Sequence, residues 1–81
     1  YPQVLKNIRV TDKTEAQNDS DVRAAVEAAA GSLGENGRIL VRESGTEPVV
    51  RVMVEADSVD TCERLVDEVI DVIRKKGYAV S

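Results

Sequence analysis

Two alternating segments on either side of a short polar turn place the strongest constraint on how this chain can fold. Residues 38–42 and 49–56 each alternate between apolar and other side chains, which is the pattern of half-buried β-strands. The second segment is the more regular, and Val50, Val52 and Val54 share one of its faces. The turn between the two segments contains both a glycine and a proline. Two strands joined in this way predict a β-hairpin.

Further elements are predicted on both sides of this hairpin. Residues 3–10 are rich in β-branched side chains and alternate loosely, which indicates a strand, whereas residues 11–19 are polar without a period and should form a surface loop. Residues 18–20 offer N-caps for a first helix and Ser58 for a second, and residues 78–80 either add an edge strand or lie loose. The apolar positions at helical spacing are Val22, Ala25, Val26, Ala29, Ala30 and Leu33, then Cys62, Leu65, Val66, Val69, Ile70 and Ile73.

The resulting order, β-α-β-β-α, predicts an α+β fold. We expect a two-layer domain in which two helices cover one face of a mainly antiparallel sheet. The 81 residues are enough for one domain, residues 1–81, and not for a second. Because the chain has no Phe and no Trp, its core must consist of Val, Ile, Leu and Ala.

Composition excludes several classes of function. A formal net charge of −4 argues against a nucleic-acid partner, and no stretch approaches the roughly 18 apolar residues of a membrane span. Residues 1–10 lack the features of a signal peptide, and the single cysteine, Cys62, cannot form an intramolecular disulfide and should be a small core residue. The chain begins with Tyr1 rather than Met, so we expect it to be part of a longer polypeptide.

The turn itself, residues 42–48, combines groups that bind phosphate. Gly45 can adopt a positive φ and let a ligand oxygen approach the backbone, and the N–H groups of Ser44, Gly45 and Thr46 can then converge as an anion-binding nest. The two hydroxyls add donors, while Arg42 and Arg51 can fork onto one phosphate from opposite sides. The residues alone therefore predict a phosphate-binding loop.

An ordinary turn with solvated arginines is the alternative that the residues leave open. In that case the arginines would be solvated or would pair with neighbours such as Glu43 and Glu55. Glu43 and Glu47 also bring negative charge close to any bound anion, so they must point away from the ligand, or one of them must face a cationic part of it. A purely structural domain of this kind binds no anion.

Catalytic and metal chemistry have little support in the composition. With no His and one Cys, a zinc or iron–sulfur site is not expected, and the acidic residues Asp67, Glu68 and Asp71 are spaced as a solvated helix face. No histidine is present to activate a serine. The chain alone is therefore expected to be a binding module, with no catalytic residue and no bound metal.

The stretch GRILVRESGTEPVVRVMVEA, with YPQVLKNIRV upstream, resembles the C-terminal domain of the phosphoglucosamine mutase family, within the α-D-phosphohexomutase superfamily. The core of the resemblance is the motif R-x-S-G-T-E-P followed by an arginine. Relatives that act on mannose or glucose phosphates commonly have a different residue at the Gly45 position or lack the Glu-Pro pair. The motif therefore favours the glucosamine branch.

This resemblance implies both a fold and a function. The fold would be TATA-binding-protein-like, and the parent enzyme would be an isomerase that interconverts glucosamine 6-phosphate and glucosamine 1-phosphate through a bisphosphate intermediate. The family's phosphate contacts fall on Arg42, Ser44, Gly45 and Thr46, and Arg51 matches a second arginine of the pattern. This fourth domain would hold the phosphate that is not reacting.

The remaining parts of the reaction would belong to the other three domains of a cytoplasmic enzyme. A phosphoserine in the first domain donates the phosphoryl group, the second holds Mg²⁺ and the third reads the sugar hydroxyls. The expected partners of this domain are thus a phosphosugar and the other domains, and the isolated domain should be inactive. Glu47 is the candidate for sugar selectivity. A free-standing, ferredoxin-like regulatory module remains the alternative from a different class.

Overall fold

The centre of the molecule is a three-stranded antiparallel sheet in the computed structural model, which describes residues 1–80. The strands are β1 (Gln3–Arg9), β2 (Arg38–Glu43) and β3 (Val49–Glu55). Their order in the sheet is β1-β3-β2, so the strand with the most regular alternation is the central one. Both pairings are antiparallel, which confirms the hairpin that the sequence predicts.

Three helices accompany the sheet: α1 (Lys13–Asn18), α2 (Ser20–Leu33) and α3 (Val59–Lys75). A short 3₁₀ turn, Gly34–Asn36, follows α2. Helix α3 packs against β1 and β3, α2 against β2 and α3, and α1 against β2, β3 and α2. The α+β architecture is confirmed, although its order is β-α-α-β-β-α and it contains a helix more than the sequence pattern predicts.

The prediction of a surface loop over residues 11–19 was wrong, because α1 lies within this segment. Its N-cap is Asp12, whose side chain accepts a hydrogen bond from the Glu15 N–H at 2.9 Å. Ala16 is its one fully buried residue. A helix of this length offers too few apolar positions for a detectable period, and short helices owe their stability to tertiary packing. The residues that α1 packs against, in β2, β3 and α2, lie outside this segment of the sequence.

The core lies between the helices and one face of the sheet. Its central residues are Val50, Val52 and Val54, which are completely buried. Cys62 is buried among the apolar residues of α3, as predicted. Within residues 1–80 no helix covers the opposite face of the sheet, and there Leu5, Met53 and Leu40 stand side by side in the register of the three strands. The remaining buried residues are Ile8, Val10, Ala16, Val22, Ala29, Leu33, Val49, Ala56, Leu65, Val66, Val69, Ile70 and Ile73.

The C-terminal residues close the helical layer against the start of α2. Asp19 is the N-cap of α2, and one of its carboxylate oxygens also accepts a hydrogen bond from the Tyr78 hydroxyl at 2.6 Å. Ala79 forms an isolated antiparallel bridge with Val10, so the expected edge strand is reduced to a single bridge. Within residues 1–80, none of the helices combines the length and the apolar character that crossing a membrane requires.

Candidate functional site

Two arginines stand directly opposite each other at the end of the β2–β3 hairpin. Arg42 and Arg51 are cross-strand partners, and Asn7 of β1 is the partner of Arg51 on its other side. Directly opposite residues project from the same face of a sheet, with Cβ atoms about 4.5–5.5 Å apart. The neighbours of Arg51 in β3, Val50 and Val52, face the core, so both arginines lie on the face without helices. The hairpin thus brings together the two cations that sequence reasoning singled out.

Neither of these arginines has an acidic partner in the part of the chain that the structure describes. No hydrogen bond or salt bridge to the Arg42 or Arg51 side chain is present within residues 1–80, and both residues are exposed. Glu55, which the alternative interpretation offered as a partner, accepts from Gln3 at 2.9 Å and lies 3.8 Å from Arg38. The two arginines are therefore cross-strand neighbours without an acidic partner in residues 1–80.

Glu43 is turned away from the arginines, as a phosphate site requires. Its cross-strand partner is the fully buried Val50, so its side chain starts on the helix side of the sheet. The Glu43 carboxylate accepts a hydrogen bond from the Thr14 hydroxyl of α1 at 3.0 Å. The other loop carboxylate, Glu47, is exposed.

The backbone of the loop differs from the predicted nest. The Ser44 N–H donates to the Val49 carbonyl at 2.8 Å, so it is not available to an anion. The Ser44 hydroxyl accepts from the Glu47 N–H at 3.4 Å and keeps its own proton to donate. The N–H groups of Gly45 and Thr46 have no partner within residues 1–80. Two N–H groups, rather than the predicted three, are thus available to a ligand.

Gly45 does not use the positive φ that a glycine can adopt. Among the glycines in residues 1–80, only Gly34 and Gly77 have a φ in the positive region. A Cβ built on Gly45 would meet no atom within 4 Å, so packing does not require a glycine here either. The conformational freedom of the glycine is thus not used here, and what a glycine still provides at this exposed position is open access to the backbone N–H groups.

Helix α1, which the sequence pattern did not reveal, braces this loop from the edge of β2. The Lys13 ammonium donates a hydrogen bond to the Ser44 carbonyl oxygen. The Gln17 amide donates to the Val41 carbonyl at 3.3 Å and accepts from the Glu43 N–H at 3.2 Å, which occupies backbone groups of an edge strand. The one sequence signal for α1 is Asp12 followed three residues later by Glu15, a spacing typical of a helix N-terminus.

The acidic residues of α3 form a solvated face, as predicted, and two of them pair with lysines. Asp67 pairs with Lys6 at 2.8 Å, and the hydrogen bond with Asp67 is the main reason that the pKa of Lys6 is raised. Lys75 contacts Asp71 at 3.0 Å one helical turn away. Within residues 1–80, no group of three or more His, Cys, Asp or Glu side chains is arranged to hold a metal ion.

A second polar cluster ties the end of the chain to α2, away from the arginines. The hydrogen bond from Tyr78 is the main cause of a lowered pKa of Asp19, and the same bond raises the pKa of Tyr78 to about 12. Lys76 lies 3.0 Å from Asp21, whose hydrogen bond raises the Lys76 pKa, and 3.8 Å from Asp19. Every charge in this cluster has a partner within the fold, so we assign it a structural role.

Comparison with known proteins identifies relatives along almost the whole chain. Residues 5–72 match the family model described as phosphoglucomutase/phosphomannomutase, C-terminal domain. The chain is 78% identical over 80 residues to a phosphoglucosamine mutase of Lachnospira eligens, and 56% identical over 78 residues to one of Lachnoclostridium phytofermentans. These matches cover 99% and 96% of the chain, which spans only 18% and 17% of those relatives.

Solved structures support the same relationship. A variant of N-acetylphosphoglucosamine mutase from Aspergillus fumigatus, in complex with glucose 1,6-bisphosphate, superposes with a TM-score of 0.78 at 25% identity. The match covers 96% of this chain and 16% of that one. The A. fumigatus enzyme in complex with GlcNAc-6P and magnesium gives a TM-score of 0.76 at 26% identity, over 94% of this chain and 16% of that one. The chain belongs to the C-terminal domain family of the phosphoglucomutases and phosphomannomutases, within the phosphohexomutase superfamily.

Proposed function

We propose that this domain binds the non-reacting phosphate of a phosphosugar in a phosphoglucosamine mutase, which interconverts glucosamine 6-phosphate and glucosamine 1-phosphate through a bisphosphate intermediate. The observation that carries the proposal is the pair of directly opposed arginines, Arg42 and Arg51, without an acidic partner in residues 1–80. Like charges directly opposite on a sheet destabilise it. A phosphate dianion between them would remove this repulsion, which an ordinary turn leaves uncompensated.

The loop would supply the remaining contacts to the phosphate. The N–H groups of Gly45 and Thr46 are available, and the hydroxyls of Ser44 and Thr46 add donors that rotate to suit the ligand. Charge-assisted hydrogen bonds from a guanidinium are about twice as strong as neutral ones, so Arg42 and Arg51 would contribute most of the affinity. We assign Arg42, Ser44, Gly45, Thr46 and Arg51 to the phosphate.

A grip on the phosphate alone suits a reaction whose intermediate carries two phosphates. Either of them must occupy this site in turn, and the groups assigned to it recognise a phosphate with little dependence on the sugar beyond. Binding energy from this remote phosphate would position the sugar at the reacting centre. The loop residues from Gly45 to Pro48 are exposed, which would allow the exchange.

The chemical step would take place outside this domain, because the chain covers only 18% of its relative from L. eligens. We assign the phosphoserine and the magnesium ion to other domains, as the family resemblance implies. The isolated chain should therefore be inactive. The cytoplasmic location that the resemblance implies remains part of this proposal, as does a role of Glu47 in selecting the sugar.

The first test is an amide NMR titration of the 81-residue chain with glucosamine 6-phosphate. Inorganic phosphate and glucosamine are the controls. We expect saturable shifts at Arg42, Ser44–Thr46 and Arg51 with both phosphates and none with glucosamine. Shifts with glucosamine but not with inorganic phosphate would contradict a site built for the phosphate.

The second test is kinetic and uses the full-length enzyme. Replacing Arg42 with Ala removes a charge-assisted contact of about 1.5–3 kcal/mol, so kcat/KM should fall by roughly a hundredfold, with a raised KM. Unchanged kinetics in this variant would show that the arginine has no part in substrate binding. Arg38→Ala is the matched control, because Arg38 lies on the same face of β2 and already pairs with Glu55.

A further inference from the structure

We propose that Lys13 is a positioning residue of the phosphate loop, an inference that rests on the proposed function. Its ammonium holds the Ser44–Gly45 peptide in the orientation that presents the Gly45 N–H to the phosphate. The Lys13 ammonium donates to the Ser44 carbonyl oxygen, and this carbonyl belongs to the same peptide group as the Gly45 N–H. In a trans peptide the C=O and N–H bonds point in opposite directions. A cation on the oxygen therefore fixes where the N–H points.

The unoccupied N–H lies on the side away from Lys13. Gly45 N–H has no partner within residues 1–80, and a Cβ built on Gly45 would meet no atom within 4 Å. The carbonyl end of this peptide is thus held by the fold, while its N–H end is free and accessible. This is the arrangement expected of a group prepared for a ligand.

A glycine at position 45 makes such a constraint necessary. Rotation of the Ser44–Gly45 peptide plane would take Gly45 into the positive-φ region, which costs a glycine little. Its φ is not in that region in this structure. Without the Lys13 contact the loop would populate both orientations of this peptide. The observed affinity for phosphate would then fall in proportion to the fraction of molecules that remain in the competent orientation.

The cation also strengthens the donor that it positions. A charge on the carbonyl oxygen polarises the whole peptide group, so the N–H at the other end becomes a better hydrogen-bond donor. Lys13 is half-buried, and Gln17 anchors the same helix to the edge of β2 through two hydrogen bonds. Helix α1 therefore places Lys13 within reach of the Ser44 carbonyl oxygen.

The test uses the 81-residue chain, labelled with ¹⁵N and ¹³C, and compares Lys13→Met and Lys13→Gln with Lys13→Arg. In the free protein, the neutral variants should move the resonances of the Ser44 carbonyl carbon and the Gly45 amide nitrogen. Their affinity for glucosamine 6-phosphate should fall about tenfold, as expected if the loop is held in the competent orientation about one tenth of the time. Lys13→Arg, which keeps the charge and the donors, should retain affinity within about threefold.

Lys75→Met is the matched control, because Lys75 is an exposed lysine paired with Asp71 at the far end of α3. It should change neither the two resonances nor the affinity. The inference is overturned if the Ser44 and Gly45 resonances are unchanged in folded Lys13 variants, whatever their affinity. It is also overturned if Lys13→Arg binds no better than the neutral variants.

Arg42→Ala separates this inference from the function on which it rests. Loss of binding in Arg42→Ala with full binding in Lys13→Met would refute the role of Lys13 and leave the phosphate site intact. Full binding in both would refute the phosphate site itself. Thermal unfolding of each variant verifies that it is folded. If Lys13→Met does not fold, the Lys13→Gln variant replaces it in the comparison.

Discussion

Replacing Arg51 with Gln should weaken phosphate binding and at the same time stabilise the fold. Arg51 is on the central strand, directly opposite Arg42 and without an acidic partner in residues 1–80. Removing one of two like charges that stand directly opposite each other should raise the free energy of unfolding by about 0.2–1 kcal/mol. For a domain of this size, a gain of about 0.5 kcal/mol raises Tm by about 2–4 °C.

The effect on binding has the opposite sign. Loss of hydrogen bonds from a charged group costs about 1.5–3 kcal/mol, which corresponds to a tenfold to hundredfold rise in Kd. Two assays are needed: thermal unfolding of the ligand-free chain, and titration with glucosamine 6-phosphate. The gain in Tm should vanish at about 1 M NaCl, where the Debye length is about 3 Å.

The control for this experiment is Arg38→Gln on β2. Arg38 projects from the same face of the sheet as Arg42, and its guanidinium lies 3.8 Å from the Glu55 carboxylate. Its replacement should leave the affinity unchanged and alter stability by less than about 0.5 kcal/mol. A lower Tm for Arg51→Gln at low salt would refute the argument, because it would mean that Arg51 stabilises the ligand-free fold. An unchanged Kd would refute its part in the site.

Two further changes test the fold. Gly37→Ala should destabilise the fold by about 1–3 kcal/mol, because the new Cβ would collide with the Glu55 carbonyl oxygen. Gly31→Ala should instead stabilise it by about 0.5–1 kcal/mol, because Gly31 is in a helix and its Cβ would meet no atom within 4 Å. Urea unfolding measures both free energies, and equal effects would contradict the packing argument. Tyr78→Phe should make the free energy of unfolding vary less with pH, both in acid and in alkaline solution. The Tyr78 hydrogen bond lowers the folded pKa of Asp19 below 3.8, so this contribution is complete above that pH and is lost as pH falls through the folded pKa. For Tyr78, whose pKa rises from 10.0 to about 12, the contribution is present below pH 10 and is lost as pH rises through 12. Urea unfolding at several pH values would refute this if wild type and variant lost stability in parallel at both extremes.

Most of the fold was predictable because its elements carry long, regular patterns. The alternation of residues 49–56 predicted a strand that is central in the sheet, and the apolar stripe of α3 is buried as a unit. Ser58 caps α3 as predicted, with its side chain accepting from the Thr61 N–H at 3.2 Å. Helix α1 was missed because six residues with a single buried alanine carry no period.

The candidate site was predictable in its residues but only partly in its geometry. The hairpin made it possible to predict that Arg42 and Arg51 lie close together, because antiparallel register follows from the strand pattern and the turn. The sequence did not reveal that the Ser44 N–H donates to the Val49 carbonyl, or that Gly45 stays outside the positive-φ region. Backbone angles in a loop depend on contacts that are distant in sequence, such as the one from Lys13.

The amino-acid sequence by itself determined the hairpin, the apolar faces and the residues offered to a phosphate, because these depend on local periodicity and on the chemistry of individual side chains. Only the tertiary structure decided which of these groups are free to bind. The register places the Glu43 carboxylate on the helix side of the sheet, where it accepts from Thr14, and places Glu55 beside Gln3 and Arg38. Within residues 1–80 the two opposed arginines therefore have no acidic partner. The register and the packing of the chain decide this, since residues far apart in sequence must meet before any of them is engaged.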